Sequence, residues 1–517
     1  MSRPGQDLLV GVDAGTSVIK AVAFTFTGEQ VATASVPNRY ATGADGAATQ
    51  SLAQTWADCA QTLRDLAGKV DGLARRIAAV AVTGQGDGTW LAGAGNEPVS
   101  DAWLWLDARA GSTVQQLRAR PSDRVRFEAT GTGLAACQQG AQLAHMAATV
   151  PDMLKQAEVA LHCKDWLYLN LTGVRATDPS EASFTFGNFR TRAYDDTVIE
   201  ALGLTAARRL LPPIVDGSRT THPLSAEAAA ATGLTAGTPV CLGFVDIVAT
   251  GLGAGIYTGG ASAACTVIGS TGMHMKATRQ DSVYLNPENT GYVIALPVPG
   301  MVAQIQSNMA ATLNIDWALR LAADLLAEMG QDVKHADLVG RIDAWLGASK
   351  PGQLIYHPYI SEAGERGPFV NSKARADFIG LTSAHRFADL LRAVVEGLGM
   401  ATRDCYEAMG TMPLEVRLTG GAARSRALRA VLAACVGASV RVSAREEAGA
   451  AGAAMMAAVA VGAYGSMEEC IAEWVTPLLD AAEAPDAALT EIYSRLFPAY
   501  QAARRALEPV WDLMHPQ

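Results

Sequence analysis

Two apolar runs, far apart along the chain, each stop at a bend built from Gly and a hydroxyl residue, and this repeat restricts the fold more than any other feature. Leu8–Val12 ends in Asp13-Ala14-Gly15-Thr16 and the apolar pattern resumes at Val18–Phe24; Ala261–Ile268 ends in Gly269-Ser270-Thr271-Gly272. A third run, Val31–Val36, follows Thr27-Gly28, so the chain opens as an antiparallel meander. A helical stretch over Leu52–Leu66 and a strand over Ile77–Thr83, closed by Gly84-Gln85-Gly86-Asp87-Gly88, extend the meander into an α/β sheet. The Gly-rich stretch Ala254–Gly260 precedes the second bend. A second copy of the opening plan therefore starts there, predicting two α/β domains over residues 1–250 and 251–517. The length agrees, since at about 150 residues per domain a chain of this size holds two to four.

Further along, Asp165–Leu171 reads as a helix ended by Thr172-Gly173, and Val240–Val245 as a strand ending at Asp246. Phe387, Leu390, Leu391, Val394, Val395 and Leu398 follow helical spacing. Next come a strand over Glu415–Leu418, the pair Gly420-Gly421, and a helix over Ser425–Cys435. The C-terminal segment is expected to be helical and peripheral. Ala448–Gly465 is uncharged but almost entirely Ala and Gly. Such side chains supply little transfer energy to a bilayer and suit a tightly packed helix inside the fold.

Composition excludes several classes. Net charge is −10 with no block of like charges, so no footprint for nucleic acid exists. The eight cysteines lack C-x-x-C spacing and read as reduced, structural residues of a cytoplasmic protein. The first apolar run is too short for a signal-peptide core. There is no G-x-x-x-x-G-K-[ST], no H-E-x-x-H and no G-x-S-x-G. Gly131-Thr-Gly133-Leu-Ala-Ala136 fits a dinucleotide pattern, but no strand precedes it.

What remains points to phosphate. Gly15 lets backbone approach an anion where a Cβ would intrude. Thr16 offers an N–H and a hydroxyl, and Asp13, at the strand end, is placed to hold Mg²⁺ directly or through water. Gly269, Ser270, Thr271 and Gly272 offer the same chemistry from the other half, so that the pair would grip a triphosphate tail. Each bend alone also reads as an ordinary turn; the pairing gives them weight. Gly420-Gly421-Ala422 lies between strand and helix, either as a simple turn or as backbone N–H groups for a nucleotide. Asp246 is a candidate general base for a sugar hydroxyl attacking a γ-phosphorus, or else the N-cap of a following helix.

Asp13-Ala-Gly15-Thr16 with Lys20, Gly269–Gly272 and Gly420-Gly421-Ala422 resemble the two phosphate motifs and the adenosine motif of the FGGY carbohydrate kinases. Ala376-Asp-Phe-Ile-Gly380-Leu381 with Asp389–Glu396 resembles that family's C-terminal signature. Further matches are Trp105-Leu-Asp107-Ala-Arg109, Lys164-Asp165-Trp166, Thr177–Ser183 and Gly364-Glu365-Arg366. The resemblance covers roughly residues 8 to 465. It implies two ribonuclease-H-like domains of the actin, Hsp70 and sugar-kinase superfamily, hinged over ATP, Mg²⁺ and a small polyhydroxy substrate in an interdomain cleft. It implies that Asp246 is the catalytic base, that Asp13 serves the metal and phosphates with Ser17 and Lys20 beside it, and that Ser425 falls near the adenine.

Gly84-Gln85-Gly86-Asp87-Gly88-Thr89-Trp90 departs from the glycerol-type and xylulose-type patterns at the same place. With Trp103–Arg109 it looks most like the members that act on four-carbon polyols. Gln85, Gly86, Asp87, Trp105 and Asp246 are then the substrate residues. Asp87 would accept from vicinal hydroxyls, or else only cap its turn, and Trp105 would pack on the carbon chain. The expectation is transfer of phosphate from ATP to a terminal hydroxyl of such a polyol. A keto-sugar kinase of the L-xylulose or ribulose type is the alternative, and an acceptor-free ATPase of the same superfold the more distant one. No nucleic-acid or membrane partner is expected; a homodimer is an option the sequence leaves open.

Overall fold

The computed structural model describes residues 5–258 and 263–514. Gly259, Gly260 and the first two residues of the expected run Ala261–Ile268 lie outside them.

The first half is built on β1 (Leu8–Ala14), β2 (Val18–Thr25) and β3 (Gln30–Pro37), an antiparallel meander. Helix α1 (Leu52–Lys69), capped by Ser51, leads to β4 (Ile77–Gly84), which pairs parallel with β1. All eight residues of β4 are buried, as a strand covered on both faces must be. An α-rich insertion follows, containing α2 (Cys163–Thr172), which packs on β4, and α3 (Pro179–Thr185). Strands β5 (Thr221–Pro223) and β6 (Pro239–Leu242) complete a sheet of order β5-β6-β4-β1-β2-β3. Helix α4 (Asp246–Ala254) then leaves this sheet, and residue 250 lies inside it.

The second half repeats the plan. β7 (Ala263–Ile268), β8 (Gly272–Arg279), β9 (Tyr292–Ala295) and β10 (Met301–Asn308) are antiparallel neighbours. The long amphipathic helix α5 (Phe387–Glu407) comes before β11 (Glu415–Thr419), which pairs parallel with β7. Helix α6 (Arg426–Val436) connects to β12 (Ser439–Val442), also parallel. The order is β9-β10-β8-β7-β11-β12. In both sheets the first strand has its antiparallel hairpin partner on one side and two strands parallel to it on the other; the second sheet differs in that β10 pairs with β8 and β9 lies outside it. The repeated architecture expected from the two bends is present.

Helix α7 (Ala448–Ala460) resolves the Ala/Gly-rich stretch. It lies against β1 and against α4 with backbone touching backbone. A Cβ on Gly11 would fall 2.0 Å from Ala450 O, one on Gly452 2.0 Å from Ala249 O, and one on Gly253 2.1 Å from Ala448 O. Small residues are required there by contact distance. Among the described residues no helix is long and apolar enough to cross a membrane.

Two expectations need correction. The strand expected over Val240–Val245 stops at Leu242. Gly243 still donates to Val82 O (2.8 Å), but Phe244 turns its carbonyl to the Thr83 hydroxyl (2.6 Å), which pulls the chain off the ladder before α4 begins. The C-terminal helix α8 (Ala487–Met514) is not merely peripheral: Tyr493, Phe497, Tyr500 and Trp511 are buried along one face. All eight cysteines are free and buried.

Candidate active site

Each Gly-hydroxyl bend is the turn between the first two strands of its sheet. In the first, Asp13 sits opposite Lys20 across the β1–β2 ladder. The Asn38 amide donates to Gly15 O (2.8 Å) and holds the turn. The Thr16 hydroxyl accepts from the Trp105 indole N–H (2.8 Å) and donates to Gln85 Oε1 (3.0 Å). Gln85 donates in turn to Gln50 (2.7 Å), so its side chain works behind the turn instead of lining the cavity. Ser17 is exposed, and Lys20 is paired with Glu447 at 2.9 Å. In the second bend, Gly269 N donates to Thr271 O (3.0 Å), while Ala311 N and Thr312 N donate to Ser270 O (2.7 Å) and Gly269 O (3.0 Å). Gly272 opens β8.

The two bends open onto one cavity of about 370 Å³ between the halves. Thr16, Gly86, Asp87, Trp105 and Asp246 line it from the first half, and Gly269 and Thr271 from the second. Apolar side chains from the second sheet, Val267, Met273, Met275, Ile294 and Ile305, form much of the remaining wall. Their low polarity strengthens every electrostatic interaction inside.

Asp246 is the first residue of α4; the N-cap position belongs to Val245, so the capping alternative does not describe its placement. Burial pushes its carboxyl up to about 7, the nearby Asp13 charge adds to the rise, and the Ile247 backbone N–H opposes it. Asp13 is pushed up to about 6, again by burial first, with Lys20 opposing and Glu447 adding. Asp246 thus lines the cavity, and the Asp13 charge behind the first bend is close enough to raise it. Among the described residues no cluster of three or more His, Cys, Asp or Glu is placed to hold a metal.

Asp87 occupies a left-handed conformation (φ 56°) between Gly86 and Gly88. A Cβ on Gly86 would meet Val245 Cγ2 at 2.4 Å, so this loop packs directly on the residue before Asp246. Asp87 Oδ2 accepts from the Cys137 thiol (3.2 Å), and Oδ1 is buried with no partner among the described residues. Burial raises its pKa, against the Cys137 hydrogen bond and the charges of His162 and Arg366.

The Gly420-Gly421-Ala422 segment follows β11, and neither Gly420 nor Gly421 lines this cavity. It is close by: Gly420 (φ 93°) packs on Ile268, the residue before Gly269, and a Cβ on it would reach Ile268 O at 2.5 Å. Ser425 caps α6 by accepting from Leu428 N (3.2 Å) and donates to Asp343 (2.8 Å), so its hydroxyl is already engaged.

Cys137, Phe184, Tyr292, Ser307 and Arg366 also line the cavity and were not singled out from sequence. Arg366 stood in the Gly364-Glu365-Arg366 match, the one signal that could have found it. Two further matches turn out to form a buttress. Lys164, fully buried, pairs with Asp165 (2.7 Å) and Asp178 (2.6 Å), and His162 pairs with Asp165 (3.0 Å). Val245 N donates to the Ser180 hydroxyl (3.0 Å), tying the start of α4 to α3.

Known proteins match this arrangement along its length. Residues 8–253 match the N-terminal domain of the FGGY family of carbohydrate kinases and residues 264–461 its C-terminal domain. The chain is 68% identical over 510 residues to the erythritol kinase of Brucella abortus (strain 2308), covering 99% of this chain and 98% of that protein. It is 28% identical over 514 residues to the xylulose kinase of Escherichia coli (strain K12), covering 98% and 100%. Its fold is that of ligand-bound xylulose kinase from Lactobacillus acidophilus, with a TM-score of 0.88 at 22% identity over 98% of this chain and 100% of that one. Two repeated sheets, a shared cleft and matches to both family domains lead to one assignment: this chain belongs to the FGGY family of carbohydrate kinases.

Proposed function

We propose that this kinase transfers the γ-phosphoryl group of ATP to a terminal hydroxyl of erythritol, giving erythritol 4-phosphate and ADP. The observation that carries the reading is the position of Asp246, held near neutral pKa in the same cavity as both bends and as an Asp87 oxygen that no group among the described residues satisfies. The identity to an erythritol kinase supports the acceptor.

In this reading Asp246 takes the proton of the terminal hydroxyl as its oxygen bonds to the γ-phosphorus and the bond from phosphorus to the β-γ bridging oxygen breaks. Backbone N–H groups of residues 15–17 and 270–272, with the Thr271 hydroxyl, hold the phosphates, while the Gly269 N–H and the Thr16 hydroxyl brace the two bends. The Gly420–Ser425 segment serves the nucleoside. Asp87 accepts hydroxyls of the acceptor, and Trp105 packs on its carbon chain while anchoring Thr16. Asp13, with Asp246 beside it, offers the oxygen donors Mg²⁺ prefers, and one or two carboxylates plus substrate phosphates are its usual protein complement. When bound, the ion neutralises phosphate charge. The divisions 1–250 and 251–517 act as the two jaws, and their closure excludes water as a competing acceptor.

A keto-sugar acceptor is the second reading, favoured by the 28% identity to a xylulose kinase. Acceptor-dependent ADP release across erythritol, other polyols and pentuloses tests both. Erythritol should give the largest kcat/KM. A pentulose turned over faster than erythritol overturns the assignment, and ATP turnover indifferent to every acceptor returns the chain to a plain ATPase.

A further inference from the structure

A second cavity, of about 770 Å³, adjoins the first; Tyr292, Ser307 and Arg366 line both and stand between them. All three come from the second half of the chain. They lie beside Asp87: its Oδ2 accepts from Cys137, whose sulfur is 4.0 Å from the Tyr292 hydroxyl. The two halves therefore meet at this part of the wall.

Arg366 is held rigidly there. Glu365 Oε1 accepts from the backbone N–H groups of Met309 (2.9 Å), Arg366 (2.8 Å) and Gly367 (3.4 Å). Asn308 donates to Gly367 O (2.7 Å), and residues 365 and 371 exchange both backbone hydrogen bonds. The guanidinium donates through Nε to the Ser307 hydroxyl (2.8 Å). Its Nη1 and Nη2 donate to no protein group among the described residues. A planar fork pinned by its base, with its donating edge free toward a cavity, is prepared to bind oxygen atoms of a ligand. Opposite in chemistry, the Asp87 Oδ1 acceptor is equally unpaired.

We propose that Arg366 is the second half's own contact with the acceptor. Its free edge donates to the hydroxyls remote from the reacting end, while Asp87 accepts from them. The acceptor is then gripped from both jaws, and only a chain long enough to reach Arg366 draws the cleft shut. This rests on the polyol reading above and adds a residue that selects acceptor length.

The test compares erythritol with glycerol, one carbon shorter, as acceptors for the wild-type enzyme, Arg366→Met and Arg366→Lys. In Arg366→Met, kcat/KM for erythritol should fall about 10- to 100-fold, mostly through KM, as expected for losing hydrogen bonds from a charged donor. Glycerol should lose at most about 3-fold, KM for ATP should be unchanged, and Arg366→Lys should recover part of the loss. Should Arg366→Met not fold, Ser307→Ala, which frees the fork, should show a smaller loss with the same erythritol bias. Equal losses on both acceptors, or a rise in KM for ATP alone, overturn the proposal. Should the wild type prefer another acceptor, the erythritol reading fails. The Arg366 comparison then runs on that acceptor and its one-carbon-shorter analogue: a loss biased to the longer one supports the contact, and equal losses overturn it.

Discussion

The carboxyl of Asp13 occupies the space a side chain on Gly449 would need: a Cβ there would lie 2.2 Å from Asp13 Oδ2. One residue comes from the first strand of the first half and the other from the first turn of α7, so the second half of the chain fixes where an acid of the first half can sit.

Gly449→Ala therefore has a definite outcome. The methyl group must displace Asp13, and the helix lies too close to β1 and α4 to move away, so overpacking should cost about 1–3 kcal/mol of stability. Turnover should fall more than stability explains, by about 10-fold or more, if Asp13 serves the phosphates. Thermal unfolding and kcat on the folded variant separate the two effects. Unchanged kcat would remove Asp13 from the reaction.

The pH profile follows from the raised acids. Asp246 must be ionised to accept a proton, and its pKa is near 7, so kcat/KM should rise with pH through about 7 and then level off. For stability the sign is opposite. A carboxyl whose folded pKa exceeds its unfolded value favours the fold below the unfolded pKa, and that favour is lost as pH rises through the folded one. Between about pH 4 and 7 Asp246 and Asp13 should thus make the ligand-free protein progressively less stable. Asp246→Asn should accordingly raise Tm by a few degrees at pH 8 and leave it nearly unchanged at pH 4. An equal shift at both pH values would contradict the burial account.

Lys164→Met tests the buttress. Burial works against the Lys164 charge, yet Asp165 and Asp178 outweigh it and hold the ammonium on. Removing it strips two buried carboxylates of their shared cation, leaving Asp165 only its His162 contacts and Asp178 only its hydrogen bonds from Ser180, which should cost about 3–5 kcal/mol. Denaturant unfolding measures this directly; a loss below about 1 kcal/mol would mean that the ion pairs contribute little.

Much of this was legible in the sequence because the decisive features are local. A Gly-hydroxyl bend after an apolar strand marks a turn between strands, and its recurrence at Gly269–Gly272 indicated the repeated sheet. Asp246 was readable as an acid leaving a strand, although the strand ends sooner, at Leu242, because the Thr83 hydroxyl takes the Phe244 carbonyl. That bond joins residues distant in the chain and leaves no periodic trace. Cys137, Tyr292 and Arg366 reach the cavity only through the meeting of the two halves, so spacing could not reveal them. Gln85 shows the reverse: its place in a distinctive run suggested substrate contact, while the fold turns its amide to Thr16 and Gln50. The Ala/Gly-rich segment carried a composition that fitted close packing, but its partners, Gly11 and Gly253, were set by tertiary contact alone.

The central claim is that a single carboxyl, Asp246, works between two phosphate-holding bends that face the same cavity. Asp246→Asn, assayed for erythritol-dependent ADP release alongside calorimetric binding of ATP with Mg²⁺, tests it most directly. The account predicts transfer reduced at least about 1,000-fold with nucleotide binding retained within about 3-fold. Phosphorylation persisting near the wild-type rate would contradict it.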